Sequence, residues 1–345
     1  MSWRDFQPKP NGCHCEAFFL PSNLHASQGI ASHTVPVSYR ETPLVVTCQK
    51  IYSRVAQILW NDIYKDILIV TLFTGMVYQT IRYNLFYERL LMHILTTNDD
   101  GVHAPGLLAL VQQMRKLGQV TVLAPDRNWS ASGHVKTMDR PLRVREATLS
   151  DGTPALTTDG APSDSVALAL LGVVKEKIDL VVSGINPREN IGHDVTYSGT
   201  VTAAMEAVIG GVPGIAISLH APQNHRGVLE YSTASRVALR VAQRVLENGL
   251  PQGVLLNVNV PYLHEDEIKG FMITRQGLRL YRDALDARID PRGKPYYWIG
   301  GDFPTGVEEP GTDFGAIRAG YVSISPLQLD LTAREAMEDL KNWNW

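Results

Sequence analysis

In Ile94-Leu95-Thr96-Thr97-Asn98-Asp99-Asp100-Gly101-Val102-His103-Ala104-Pro105-Gly106 an apolar run ends abruptly in two adjacent carboxylates and a turn. A short apolar run bounded by turn residues has the pattern of a buried strand in a parallel sheet, and Asn-Asp-Asp-Gly is a turn signal. Asp99 and Asp100 therefore stand at the carboxyl end of a strand, the edge at which open α/β sheets bind their ligands.

The residues that follow extend this strand into a sheet. Pro105 and the apolar spacing over 106–117 predict a helix with proline in its first turn and Gly118 as its stop. Residues 119–124 form the next strand, which makes a right-handed parallel β-α-β unit. It ends in a polar segment, 125–134, that carries Ser130. Residues 140–158 read as a hairpin about Asp151-Gly152. Pro162 opens a helix over 166–174, and 178–183 is a further buried strand followed by the polar segment 184–194, which carries Asn186. Tyr197-Ser198-Gly199-Thr200 introduces a helix over 201–209. A strand at 212–219, a helix at 231–246 and a strand at 254–260 complete the alternation. Beyond Pro261 the pattern becomes strand-rich, at 270–275, 296–301 and 320–327, and late hairpins of this kind suit oligomerisation. The expected fold class is α/β, Rossmann-like and doubly wound. Its sheet is mostly parallel, with a β-rich C-terminal extension from about residue 262.

Composition narrows the function. The 345 residues are 44% hydrophobic and 19% charged, an ordinary globular balance with room for one large or two ordinary domains. The net charge of −3, with no Lys/Arg-rich run, excludes the electrostatic footprint of a nucleic-acid binder and leaves small anions to a local site. All three cysteines, Cys13, Cys15 and Cys48, precede Met92, which rules out a disulfide framework or a cysteine metal site in the body. The spacing Cys13-His14-Cys15 is too tight for a zinc knuckle, and no second pair exists.

Residues 1–91 differ in style. Pro8, Pro10, Pro21, Pro36 and Pro43 punctuate a stretch that reads as loop or disorder, and residues 51–91 turn apolar and aromatic. The run at 67–78 is shorter than the roughly 20 apolar residues of a membrane span. It also starts too far from the N-terminus for a secretory leader and lacks a small-residue cleavage site. Three readings stand: a helical appendage, a membrane contact at 67–81, or sequence upstream of a true start at Met92. The last is preferred, because Met92 immediately precedes the first strand and 92–345 reads as a complete domain.

At the strand ends the chemistry converges. Asp99, Asp100, the Ser130 hydroxyl and the Asn186 amide oxygen form a set of hard oxygen ligands suited to one magnesium, manganese or calcium ion, and not to zinc. Such a site supports phosphoryl transfer. The helix start at Ser198, Gly199 and Thr200 exposes amides and a positive dipole end that suit a phosphate. Taken singly, an Asp-Asp turn also fits a solvated loop, and Ser130 or Asn186 also fits turn capping; their arrival at one sheet edge makes the argument. His103, His134 and His193 lie in the same loops. Any of them could serve as a general acid, but none has ligand spacing.

These residues carry a resemblance. Asn98-Asp99-Asp100-Gly101 with Ala104-Pro105-Gly106, Pro125-Asp126-Arg127-Asn128 with Ser130, Ser183-Gly184-Ile185-Asn186, and Tyr197-Ser198-Gly199-Thr200 resemble, in order and spacing, the motifs of the SurE family of nucleotidases. The similarity extends to Gly311-Thr312-Asp313-Phe314 and to the segment 320–327, so it covers about residues 92 to 340. The resemblance implies a cytoplasmic, metal-dependent phosphatase of nucleoside 5′- and 3′-monophosphates, with short polyphosphate left open. It puts the family's metal ligands on Asp99, Asp100, Ser130 and Asn186, with Asp99 and Asp100 as the catalytic pair. Asn98, Asn190, Ser198, Gly199 and Thr200 would then lie on the phosphate side. It also implies homodimers or homotetramers that exchange C-terminal elements. Where the family often has glycine two residues after the motif asparagine, this chain has Arg188, which changes the expected turn and brings a guanidinium toward the phosphate.

Two rivals are weaker. A magnesium-binding phosphoacceptor signalling domain would need a third aspartate at the end of a middle strand and a lysine near a later one, whereas Asn186 and Asn259 stand at the corresponding ends. A dinucleotide-binding module would need Gly-x-Gly-x-x-Gly in the first β-α turn. Within phosphatase chemistry, direct attack by Asp99 or Asp100 is an alternative to an activated water. The water is preferred because both carboxylates are committed as ligands.

Overall fold

Alternation along the first strand sets the layers of the protein. A computed structural model describes residues 92–345, so the readings for 1–91 and for 67–81 lie outside the described residues. In β1 (His93–Thr97) successive side chains face opposite sides of the sheet. Ile94 packs with Leu110 and Met114 of α1 (Pro105–Met114) and with Val237, Ala238 and Val241 of α4 (Ser232–Asn248). Leu95 packs on the other side, with Val166 of α2 (Pro162–Leu168) and with Ala203 and Ala207 of α3 (Gly199–Ile209). The sheet is thus sandwiched between two pairs of helices, as the doubly wound reading requires.

The remaining strands are β2 (Gln119–Pro125), β3 (Val144–Thr148), β4 (Pro154–Thr158), β5 (Leu180–Asn186), β6 (Gly214–His220), β7 (Val254–Pro261), β8 (Phe271–Ile273), β9 (Arg279–Ile289), β10 (Pro295–Gly306) and β11 (Val322–Gln328). Nine of them form one sheet in the order β3-β4-β2-β1-β5-β6-β7-β11-β8. The core β4-β2-β1-β5-β6-β7 is parallel throughout. From β1 the chain goes to β2 on one side, then returns to build β5, β6 and β7 on the other. The order therefore reverses between β1 and β5, and the crevice above their carboxyl ends is the topological switch point where such sheets bind ligands.

Several expectations are corrected in detail. The hairpin expected over 140–158 forms as β3–β4 and belongs to the main sheet, because β4 pairs parallel with β2 and extends it. The helix expected to stop at Gly118 ends at Met114. The helix expected over 166–174 opens at Pro162 as read, where the Asp164 carboxylate accepts the Ala161 amide at 2.9 Å, but it loosens after Leu168 into Ala169–Val173. The strand expected to end at Ser183 continues to Asn186, with a register shift between Ser183 and Asn186. The β-rich C-terminal extension divides. β11 and β8 join the main sheet, while β9 and β10 form a separate two-stranded ribbon. The short helix α5 (Asp313–Arg318) and the C-terminal α6 (Arg334–Lys341) were not expected from the sequence. Among the described residues no helix is long and apolar enough to cross a membrane.

One contact ties this framework to the switch point. Gly106, in the first turn of α1, lies so close to β5 that an added Cβ would sit 2.1 Å from the Ile185 carbonyl oxygen. Gly106→Ala must therefore push the helix away from the strand that ends in Asn186. Overpacking of this kind costs about 1–3 kcal/mol, and the thermal midpoint is expected to fall by about 2–10 °C. Calorimetry or circular dichroism checks this, and an unchanged midpoint would remove the contact from the account.

Candidate functional site

At the end of β1 the chain turns through Asn98-Asp99-Asp100-Gly101. The Asn98 side chain closes that turn, since its amide nitrogen donates to the Gly101 carbonyl at 3.0 Å and its oxygen accepts the Gly101 amide at 3.2 Å. Asn98, expected on the phosphate side, is thereby occupied in shaping the acidic pair. The Asp99 carbonyl accepts the Trp129 amide at 2.7 Å, which pulls the loop after β2 alongside. In that loop the Ser130 amide donates to Asn128 Oδ1 at 2.7 Å, and the Asn128 side-chain nitrogen lies 3.4 Å from Asp100 Oδ1.

Asp99 is 3% exposed. Burial pushes its carboxyl above the ordinary range, and the Thr200 hydroxyl, the strongest opposing contact, donates to Asp99 Oδ1 at 2.6 Å. The Thr200 backbone amide acts in the same direction. Part of the α3 start expected to cradle a phosphate thus holds a carboxylate instead, as a helix N-terminus favours. Gly199 is required by the same approach, because a Cβ there would lie 2.7 Å from the Asp99 Cβ. Ser198 caps α3, its hydroxyl oxygen accepting the Val201 amide at 3.1 Å.

Asp100 has no such support. Burial, and then the neighbouring charge of Asp99, push its carboxyl up to about 7. Neither aspartate forms an ion pair with a basic side chain among the described residues. Two adjacent carboxylates without a protein cation are costly to keep ionised.

Asp99, Asp100, Ser130 and Asn186 meet in one pocket of about 390 Å³, together with Arg188, Asn190 and Ser198. Asn186 reaches it from the shifted register at the end of β5. Its side-chain nitrogen donates to the Arg188 carbonyl at 2.6 Å, which leaves the amide oxygen for another partner. Such shifts next to active sites re-aim a side chain. Arg188 takes no left-handed backbone conformation, so the chain passes here without glycine, and its guanidinium donates to the Ala221 carbonyl at 3.3 Å. Asn190 is fixed by donation to the Ser218 hydroxyl at 2.7 Å, and its carbonyl accepts from Asn257 and Asn259. The loop histidines fall apart. His134 pairs with Glu206 at 3.0 Å, whereas His103 and His193 are exposed.

The sequence did not reveal the ionic cluster behind the pocket. Arg279, the first residue of β9 and 8% exposed, lies 2.7 Å from Asp194 and 3.2 Å from Glu189, and His220 approaches Glu189 at 2.9 Å. Burial pushes the Glu189 carboxyl up, but the side-chain hydrogen bond from His220, helped by the nearby Arg279 guanidinium, outweighs it and holds it below the ordinary range. Tyr281 donates to Asp194 at 2.5 Å. No motif signals Arg279, which reads as one arginine in an exposed ribbon.

A divalent metal fits the acidic end of this pocket. Among the described residues no group of three or more His, Cys, Asp or Glu side chains is set to hold a metal. The donors here are two carboxylates without a counter-cation, a hydroxyl and an amide oxygen, all of them hard.

The chain matches the family model described as Survival protein SurE over residues 94–283. It is 50% identical over 254 residues to 5′-nucleotidase SurE of Chloroflexus aggregans, covering 74% of this chain and 100% of that protein. To 5′-nucleotidase SurE of Herpetosiphon aurantiacus it is 51% identical over 254 residues, 74% of this chain and 99% of the other. Among solved structures, the SurE protein of Aquifex aeolicus superposes with a TM-score of 0.61 at 42% identity, over 72% of this chain and 98% of that one.

Charge in the pocket sets a pH prediction. Asp100 is raised from 3.8 to about 7, so the folded state binds its proton more tightly than the unfolded chain, and its ionisation destabilises the fold as pH rises between those values. Without divalent metal, Asp100→Asn is therefore expected to melt with wild type near pH 4 and above it at pH 8. If the ionised pair holds a divalent ion, millimolar magnesium or manganese should reverse the pH 8 order, since an ion bound to the folded state stabilises it. A wild type that outlasts the variant at pH 8 in chelator would contradict this.

Proposed function

The chain belongs to the SurE family, and from that membership we infer that it is a 5′-nucleotidase, hydrolysing nucleoside monophosphates to nucleoside and phosphate. The observation that carries the reading is the pair of buried Asp99 and half-buried Asp100 at the switch point, without a basic partner among the described residues and beside the capped start of α3. Asp99, Asp100, Ser130 and Asn186 would hold one divalent metal ion per subunit, magnesium, manganese or calcium. When bound, such an ion would neutralise phosphate charge and lower the pKa of water, so that a deprotonated, nucleophilic water becomes more accessible.

The chain's own groups do the rest. Thr200 and Gly199 orient Asp99 and keep its carboxylate pointed at the pocket. Ser198 accepts the Val201 amide and keeps its hydroxyl proton for a phosphate oxygen. Asn190 and Arg188 face the same space from the loop after β5 and add donors on the phosphate side. Activity on 3′-monophosphates and on short polyphosphate belongs to the same proposal. The phosphoacceptor reading is not favoured, because the ends of β5 and β7 carry Asn186 and Asn259, and Asn259 is bound to Asn190.

We further propose a homodimer or homotetramer and a cytoplasmic site of action. Assembly is supported by the apolar surface of the β9–β10 ribbon, where Leu285, Tyr297, Trp298 and Ile299 are each more than half exposed. The lack of any cysteine after Cys48 is consistent with a reducing compartment. Residues 92–345 are the proposed catalytic unit and 1–91 an extension to it.

With magnesium or manganese, the full-length protein is expected to release phosphate from nucleoside monophosphates. Asp100→Asn should lower kcat/KM by about 100-fold or more, at or beyond the upper end of what loss of a supporting metal contact costs. A panel of nucleotides and metals with a phosphate readout checks both. No release from any monophosphate, or full turnover by Asp100→Asn, would overturn the reading.

A further inference from the structure

We propose that the base of the bound nucleotide stacks on Tyr197, which makes this residue a specificity determinant for the nucleoside half of the substrate. The proposal rests on the nucleotidase reading above. Tyr197 is the one aromatic side chain among the described residues that line the pocket of Asp99, Asp100, Ser130 and Asn186. It is 59% exposed. A single exposed aromatic is ordinary on a protein surface. This one stands at the rim of the pocket, one residue before the Ser198 cap of α3, so a ring stacked on it lies next to the phosphate end of the site.

Its exposure is built in. The Tyr197 amide donates to the Asp194 carbonyl at 3.0 Å, and its carbonyl accepts the Gly133 amide at 2.9 Å. The backbone is therefore pinned from both sides while the ring stays in solvent.

Among the described residues, the two hollows that adjoin this pocket offer no free ring face. Past Glu189 the pocket continues into a hollow of about 490 Å³ that ends on Phe314. Gly306 lies against that ring, where a Cβ would sit 2.5 Å from it, and the His220 edge covers another side at 6.4 Å between ring centres. On the far side of Asp100 a hollow of about 370 Å³ is bordered by Tyr231 and Arg127. Tyr231 is only 8% exposed, and Arg127 already lies 4.6 Å over the neighbouring Trp129 ring. Stacking needs an exposed face and suits any base, with the larger purine rings gaining more.

The test compares AMP, CMP and the base-free ester ribose 5-phosphate, each with the full-length protein and manganese. Tyr197→Ala is expected to raise KM for AMP about tenfold with kcat nearly kept, which is within the range measured for base–aromatic stacking. The loss of kcat/KM on AMP should exceed that on ribose 5-phosphate by about the same factor, with CMP between. Tyr197→Phe, which keeps the ring, should restore the AMP preference. Equal losses on AMP and ribose 5-phosphate, or no loss on AMP, would overturn the role of Tyr197 and leave the nucleotidase reading intact. Failure of wild type to hydrolyse any nucleoside monophosphate would instead overturn that reading.

Discussion

Two consecutive carboxylates, Asp99 buried and Asp100 half-buried, stand at the point where the strand order of the sheet reverses, and among the described residues no basic side chain pairs with either. Desolvating an unpaired carboxylate costs several kcal/mol, and the neighbourhood shows how little of that is offset. Asp99 receives the Thr200 hydroxyl and amide at the start of α3, where the helix dipole favours negative charge. Asp100 receives a long contact from Asn128 and is driven toward neutrality by burial and by Asp99. A fold built for stability alone would not place Asp100 there. The strain is explained if a cation completes the site, and the close approach of Gly199 to Asp99 and the re-aimed end of β5 serve the same placement.

The rest of the pocket wall depends on the C-terminal third of the chain. Asp313, fully buried at the start of α5, accepts the Gly192 amide at 2.8 Å and the Gly277 amide at 2.8 Å, while Gln276 donates to the Gly192 carbonyl at 2.9 Å. Arg279 adds the ionic ties to Glu189 and Asp194. The loop that carries Arg188, Asn190 and Tyr197 is thus clamped by residues about a hundred positions downstream, and its geometry responds to how the β9–β10 ribbon is seated.

Much of the centre was legible in the sequence because its signals are local. The apolar runs of β1, β2 and β5 and the proline that starts α1 have few alternative readings, and parallel strands must send their carboxyl ends to one edge. Asn186 was harder. Its register shift depends on the partner strand β6, so the strand read as ending at Ser183. Thr200 was taken for a phosphate contact because a helix start rich in small hydroxyl residues suits any anion, and nothing local shows that the anion it meets is Asp99. Arg279 and Asp313 act over long sequence separations. They lie in a ribbon with mixed polarity and in a helix of only six residues, too short for periodicity to register.

The role proposed for the acidic pair is to hold a divalent ion. Titration of metal-free protein with manganese, followed by the electron paramagnetic resonance of the free ion, counts the sites directly and needs no turnover. One manganese ion per chain in wild type, lost or weakened by at least tenfold in Asp99→Asn, is expected. Unchanged manganese binding in Asp99→Asn, or no binding in wild type at pH 8, would contradict it.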